Sequence, residues 1–154
     1  MTVDQTYLIF DPGKNGGYAE CHNGLNDIIL HKLDSSADFI EHMLELEQTH
    51  KGFVRAVIEA VPPYAGKNIP SYTSFKLGHN CGFIEGVLRA RQIPVEFLSP
   101  KKWQKPLTGL KGLTGSSRKK ALRDHANRLF PTLKPTLATC DALLMAWYKF
   151  NNNQ

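Results

Sequence analysis

Three carboxylates in this chain stand where apolar runs stop. Asp11 ends TYLIFD and is followed at once by Pro12 and Gly13. Glu59 ends FVRAVIE ahead of a proline-rich stretch, and Asp141 stands at the head of CDALLMAWY. An acid that closes an apolar element is costly to bury alone, and the cost falls when several acids converge on a cation. Oxygen ligands drawn from distant parts of a chain suit Mg²⁺ (or Mn²⁺), which keeps several waters and takes few protein ligands. The chemistry such a site offers is phosphodiester hydrolysis, in which two ions about 4 Å apart activate a water and stabilise the leaving 3′-oxygen. Each acid also has a plain structural reading. Asp-Pro-Gly is a good turn, Glu59 suits a solvated strand end, and Asp141 is a favourable charge at a helix N-terminus.

Charge placement is the second chemical signal. The 154 residues carry a net charge of +5, but between Arg89 and Arg128 eleven basic residues are opposed only by Glu96 and Asp124. A basic stretch on a chain that is otherwise acidic is the footprint of a polyanion-binding face, and lysines scattered over a solvated helix are the alternative. Lys101, Lys102, Lys105, Lys111, Arg118, Lys119 and Arg123 are the expected DNA contacts within it. Lys105 or Lys119 is further expected to stabilise charge developing at the phosphate. Tyr64 and Lys67, in the loop VPPYAGKNIP, and Lys76, beyond it, are the expected partners of unpaired bases, since aromatic rings beside lysines stack on them.

Composition bounds the rest. Hydrophobic residues make up 42% and charged residues 21%, ordinary proportions for a globular protein with one core. No repeat or linker divides the chain, so a single domain over 1–154 is expected. Cys21, Cys81 and Cys140 show no paired spacing, so neither a zinc site nor a disulfide framework is suggested. No run approaches the roughly 20 apolar residues of a membrane span, and no leader pattern opens the chain. The expectation is a cytoplasmic protein, of a bacterium or a phage-infected host, with no membrane partner.

The elements that must position the acids follow from periodicity. Residues 6–12, 17–22 and 27–33 read as strands, the last two separated by an Asn-Gly turn. Residues 36–50 form an amphipathic helix, 53–60 a buried strand, 71–91 a long helix and 93–98 a fifth strand. Residues 99–115 read as a mobile Gly- and Lys-rich connection, 116–130 as a basic helix and 139–150 as a last helix with a fraying Asn-rich tail. Three meander strands followed by alternating strands and helices give an α/β fold. The sheet is mixed and five-stranded, antiparallel over β1–β3 and parallel over β4–β5, with helices on both faces. Gly78, Gly82 and Gly86 recur at spacing four in the long helix. Glycine disfavours helix by up to about 1 kcal/mol each. The stripe therefore implies close approach of another backbone, either the chain's own sheet or a second subunit.

These segments resemble the RuvC-type Holliday junction resolvases. LIFDPGKNGGYA is similar to their first-strand motif, VIEAVPPY to the second, and CDALLMAWY to the C-terminal one. SPKKWQKPLTGLKG followed by SSRKKALRDHANRLFP is similar to the basic segment of phage and organellar members. The resemblance implies the RNase H-like fold and a homodimeric, Mg²⁺- or Mn²⁺-dependent endonuclease that resolves four-way junctions. Asp11, Glu59 and Asp141 would be its metal ligands and catalytic residues. The family places a further Asp or His three or four residues before the last acid, where this chain has Ala138 and Leu137. A junction-binding protein without cleavage is therefore the competing reading. The phosphate loop of an actin-like or sugar-kinase ATPase half is a more distant one.

Overall fold

A computed structural model describes residues 5–33, 35–50, 53–62 and 69–152. The elements are β1 (Thr6–Phe10), β2 (Gly17–His22), β3 (Asp27–Lys32), α1 (Ser36–His50), β4 (Val54–Glu59), α2 (Ser71–Ala90), β5 (Val95–Leu98), α3 (Pro100–Gln104), α4 (Gly115–Leu129) and α5 (Cys140–Asn152). They build one five-stranded sheet in the order β3-β2-β1-β4-β5. β1 pairs antiparallel with β2, and β2 with β3, whereas β1, β4 and β5 run parallel.

Alternation along the strands separates two cores. Leu8, Phe10, Tyr18, Ala56 and Ile58 point to one face, where Phe39, Met43 and Leu46 of α1 and Ile84 and Leu88 of α2 cover them. Ile9, Ala19, Cys21 and Val57 point to the other face, under Trp103 of α3, Leu122 and Ala126 of α4, and α5. The first part of α5 is buried on all sides: Cys140 through Ala146 are inaccessible or nearly so, which is why that segment is apolar without a polar stripe.

Two expectations change. The connection 99–115 is not loose: Pro100 starts α3, Trp103 is fully buried, and Leu110 packs into the same core. Two hydrophobic anchors outweigh the glycine and lysine content that suggested mobility. The last helix begins at Cys140, so Ala138 lies in the turn before it.

Candidate functional site

The parallel pairing of β1 and β4 sets two of the acids side by side. Phe10 is in register with Ile58. Asp11 and Glu59, one residue further on, leave adjacent strands at the same end of the sheet. The turn after β1 is built around Asp11. Its N–H donates to the Gly17 carbonyl at 2.9 Å, and its Oδ1 accepts the Gly13 N–H at 3.1 Å. Position 16 must be glycine, because a Cβ there would stand 2.0 Å from the Asp11 carbonyl oxygen.

Asp141, in the first turn of α5, supplies the third carboxylate, and a cation joins two of the three. The Lys119 ammonium of α4 donates to Asp141 Oδ2 at 2.6 Å and approaches Asp11 Oδ2 at 3.4 Å. Burial works against a charged Lys119, yet Asp141 and Asp11 hold its pKa above the ordinary lysine value. Burial raises the Asp11 pKa, and the nearby Asp141 adds to the rise, so Lys119 offsets only part of the cost. Glu59 Oε2 accepts the indole N–H of Trp103 at 2.8 Å. Burial, then the charge of Asp11, pushes the Glu59 carboxyl up to about 7. The Cys140 thiol donates to Asp141 Oδ1 at 3.3 Å and, held in burial beside that acid, is pushed up to about 12.

Two buried acids, Asp11 and Asp141, share one ammonium, and the half-buried Glu59 beside them has only an indole N–H, which leaves the three short of positive charge. That donor set fits a divalent cation of the Mg²⁺ type, whose ligands are hard oxygens. The carboxylates are not yet closed into a cage. Among the described residues, the groups whose ligand atoms come within 4.8 Å of one another lie elsewhere, around Glu20.

The basic residues divide by what they touch. Lys101, Lys102, Lys105 and Lys111 are exposed. A cleft between α3 and α4 is lined by Lys101, Gln104, Lys105 and Arg118. The Arg118 guanidinium is drawn inward, donating to the Leu110 and Leu113 carbonyls and to Gln104. Arg123 lies 3.8 Å from Asp124. Lys76, on α2, stands over the Tyr72 ring and lines a second cleft with Gly13 and Lys14. Tyr64 and Lys67 lie outside the described residues. Of the two lysines expected at the phosphate, Lys119 is the one that contacts the acids.

Trp103 is the site residue that sequence reasoning missed. Its signal was present: a large apolar side chain in an otherwise polar, basic segment has to be buried against something. Among the described residues, no helix is long and apolar enough to cross a membrane.

No family model and no curated protein sequence matches the chain. Solved structures do. RuvC from Thermus thermophilus in complex with a Holliday junction substrate superposes with a TM-score of 0.60 at 14% identity, over 94% of this chain and 92% of that one. A structure of Thermus thermophilus RuvC gives a TM-score of 0.56 at 16% identity over the same shares. The chain has the RuvC fold, an RNase H-like mixed sheet with helices on both faces.

Proposed function

We propose that this protein is a divalent-metal-dependent endonuclease that cuts branched DNA, with the four-way junction as substrate. The observation that carries the reading is the meeting of two signals at one end of the sheet. The acids Asp11, Glu59 and Asp141 are contacted there by Trp103 and Lys119, which belong to the two basic helices α3 and α4. A polyanion held by those helices lies beside the carboxylates. The RuvC structure bound to a Holliday junction substrate supports the choice of DNA.

Asp11, Glu59 and Asp141 are the residues that would hold Mg²⁺ or Mn²⁺. When bound, such ions supply an activated water and neutralise charge at the scissile phosphate. The chain's own residues do the remaining work. Trp103 fixes Glu59 through Oε2, so a proton on Glu59 below pH about 7 resides on the other oxygen. Lys119, kept charged by Asp141 and Asp11, is an ammonium that can turn to a phosphate oxygen. Lys101, Lys102, Lys105 and Lys111 hold the backbone.

The molecule is further proposed to act as a homodimer, because two symmetric cuts across a junction call for a two-fold axis. A Cβ at Gly78, Gly82 or Gly86 would meet nothing within 4 Å among the described residues, so the stripe does not face the chain's own sheet. Tyr72 and Phe75, on the same helix, are exposed.

One observation favours a second reading. Lys119 already neutralises part of the carboxylate cluster, and Ala138 brings no further ligand, which suits a junction binder that does not cut. A synthetic four-way junction separates the two. Cleavage that requires Mg²⁺ or Mn²⁺ and disappears in Asp11→Asn, with binding retained, is the expected result. Tight binding without cleavage under any divalent ion establishes the second reading instead.

A further inference from the structure

Four of the six histidines gather around one buried glutamate, away from the acids discussed so far. Glu20, in the middle of β2, is 3% exposed and faces the α1 side of the sheet, as its alternation with Tyr18 requires. Its Oε2 is met by His31 Nε2 of β3 at 2.9 Å and by His42 Nε2 of α1 at 2.8 Å. Its Oε1 is met by His22 Nε2 at 2.7 Å, and His22 Nδ1 is in turn 3.0 Å from Thr6 Oγ1. The carboxylate is thus oriented from one side and approached by two imidazoles from the other.

We infer that Glu20, His31 and His42 form a transition-metal site, suited to Zn²⁺, that ties α1 and the edge strand β3 to the sheet. The donors match the ion: imidazole nitrogens with one carboxylate suit zinc, and two histidines with one glutamate leave a fourth position for water. The geometry is nearly in place. The three ligand atoms lie within 4.8 Å of one another. Tetrahedral zinc bonded at about 2.0–2.2 Å needs them roughly 3.4 Å apart, so each imidazole has only about half an ångström to withdraw from Glu20. The surroundings match as well. His42 Nδ1, the nitrogen left over by metallation at Nε2, stands 4.0 Å from Glu45 Oε2, outside hydrogen-bond distance, so the exposed Glu45 side chain would have to move in to become its outer partner. The His31 ring is stacked on Tyr18 at 4.5 Å, which fixes its plane. A cleft lined by Tyr18, His31, Asp38, Phe39 and His42 opens on the site, and both histidine side chains are about a quarter exposed, so an ion has a path in.

The site is independent of the proposed nuclease chemistry, in face, donor type and metal class. Its readout is therefore metal binding, not cleavage. The full chain, stripped with a chelator, is titrated with Zn²⁺ against a chromogenic zinc indicator in the presence of millimolar Mg²⁺. Expected are about one zinc per chain, undisplaced by Mg²⁺, and a zinc-induced rise in melting temperature. His31→Gln and His42→Gln should each weaken zinc binding at least tenfold while keeping the wild-type circular dichroism, and His79→Gln, which belongs to neither group of ligand atoms, should not. Zinc-edge X-ray absorption of the unmutated chain needs no variant and should show nitrogen and oxygen neighbours with two imidazoles. Glu20, His22 and His50 form a second trio on the same carboxylate, with His22 and His50 rings stacked at 4.6 Å. Loss of zinc in His50→Gln but not in His42→Gln would overturn the assignment, as would an apo chain that takes up no zinc or a spectrum without imidazole.

Discussion

Lys119 Nζ lies 2.6 Å from Asp141 Oδ2, and this contact joins the basic helix α4 to the acidic end of the sheet. Asp141 is 9% exposed and Asp11 7%, so the ammonium stands close to where a bound cation would relieve the same charges. Lys119→Met should lower the stability of the metal-free protein by about 2 kcal/mol, since it strips a buried acid pair of its partner. The same change should enlarge the rise in melting temperature on adding Mn²⁺, because the ion no longer competes with an internal cation. Thermal melts of both proteins, with chelator and with Mn²⁺, test this. Equal responses to Mn²⁺ would show that Lys119 and the ion do not share a place.

Glu59 gives a pH dependence of defined sign. Its pKa is raised to about 7, chiefly by burial and then by Asp11. Between the ordinary carboxylate value of about 4.3 and 7, the folded protein binds more protons than the unfolded chain, so stability falls as pH rises through that window. The loss is complete above pH about 7 and amounts to at most about 4 kcal/mol. Denaturant melts in chelator at pH 5.5 and 7.5 should show it, Glu59→Gln should flatten it, and Trp103→Phe should move it to higher pH by removing the hydrogen bond that favours the charged form. A metal-free protein equally stable at both pH values contradicts the assignment.

The acids and the sheet were legible in the sequence for the same reason. Burying Asp11 and Glu59 at the ends of apolar strands needs compensation, and a meander followed by alternating strands and helices leaves few topologies. What stayed hidden depends on contacts across distant elements. The pairing of Trp103 with Glu59 spans 44 positions. The histidines at 22, 31, 42 and 50 sit on β2, β3 and α1 with no periodic spacing, and Glu20 reads as one more polar residue in an alternating strand. Nothing short of the fold brings them together.

The exposed glycine stripe on α2 separates a dimer contact from a folding requirement. A Cβ at Gly82 meets no atom of the described residues within 4 Å, so Gly82→Leu should fold and gain up to about 1 kcal/mol of helix propensity. If the stripe is where two copies meet, the bulky side chain should abolish self-association. Sedimentation at tens of micromolar, on the order of weak-dimer affinities, should show a dimer for the unmutated chain and a monomer for the variant. A monomeric unmutated chain, or a variant that still pairs, removes α2 from the interface.

The basic segment holds two kinds of side chain that sequence alone treats alike. Lys101 and Lys105 are exposed on the walls of a cleft, open to a phosphate. Arg118 borders the same cleft, but its guanidinium is committed to the carbonyls of Leu110 and Leu113 and to Gln104, so it holds the α3–α4 connection against the core. Replacing Lys101 and Lys105 together by Ala should leave stability unchanged. It should weaken junction binding and reduce the slope of log affinity against log salt by about 0.9 for each phosphate that is no longer neutralised. Arg118→Ala should instead cost roughly 1–2 kcal/mol of stability, the effect of leaving carbonyls without their donor. Its salt slope should change less than that of the double lysine variant. Melts and binding isotherms at several salt concentrations give both quantities for each variant. The reverse pattern, with Arg118 controlling the salt slope and the lysines controlling stability, would mean that DNA follows a different path over α3 and α4.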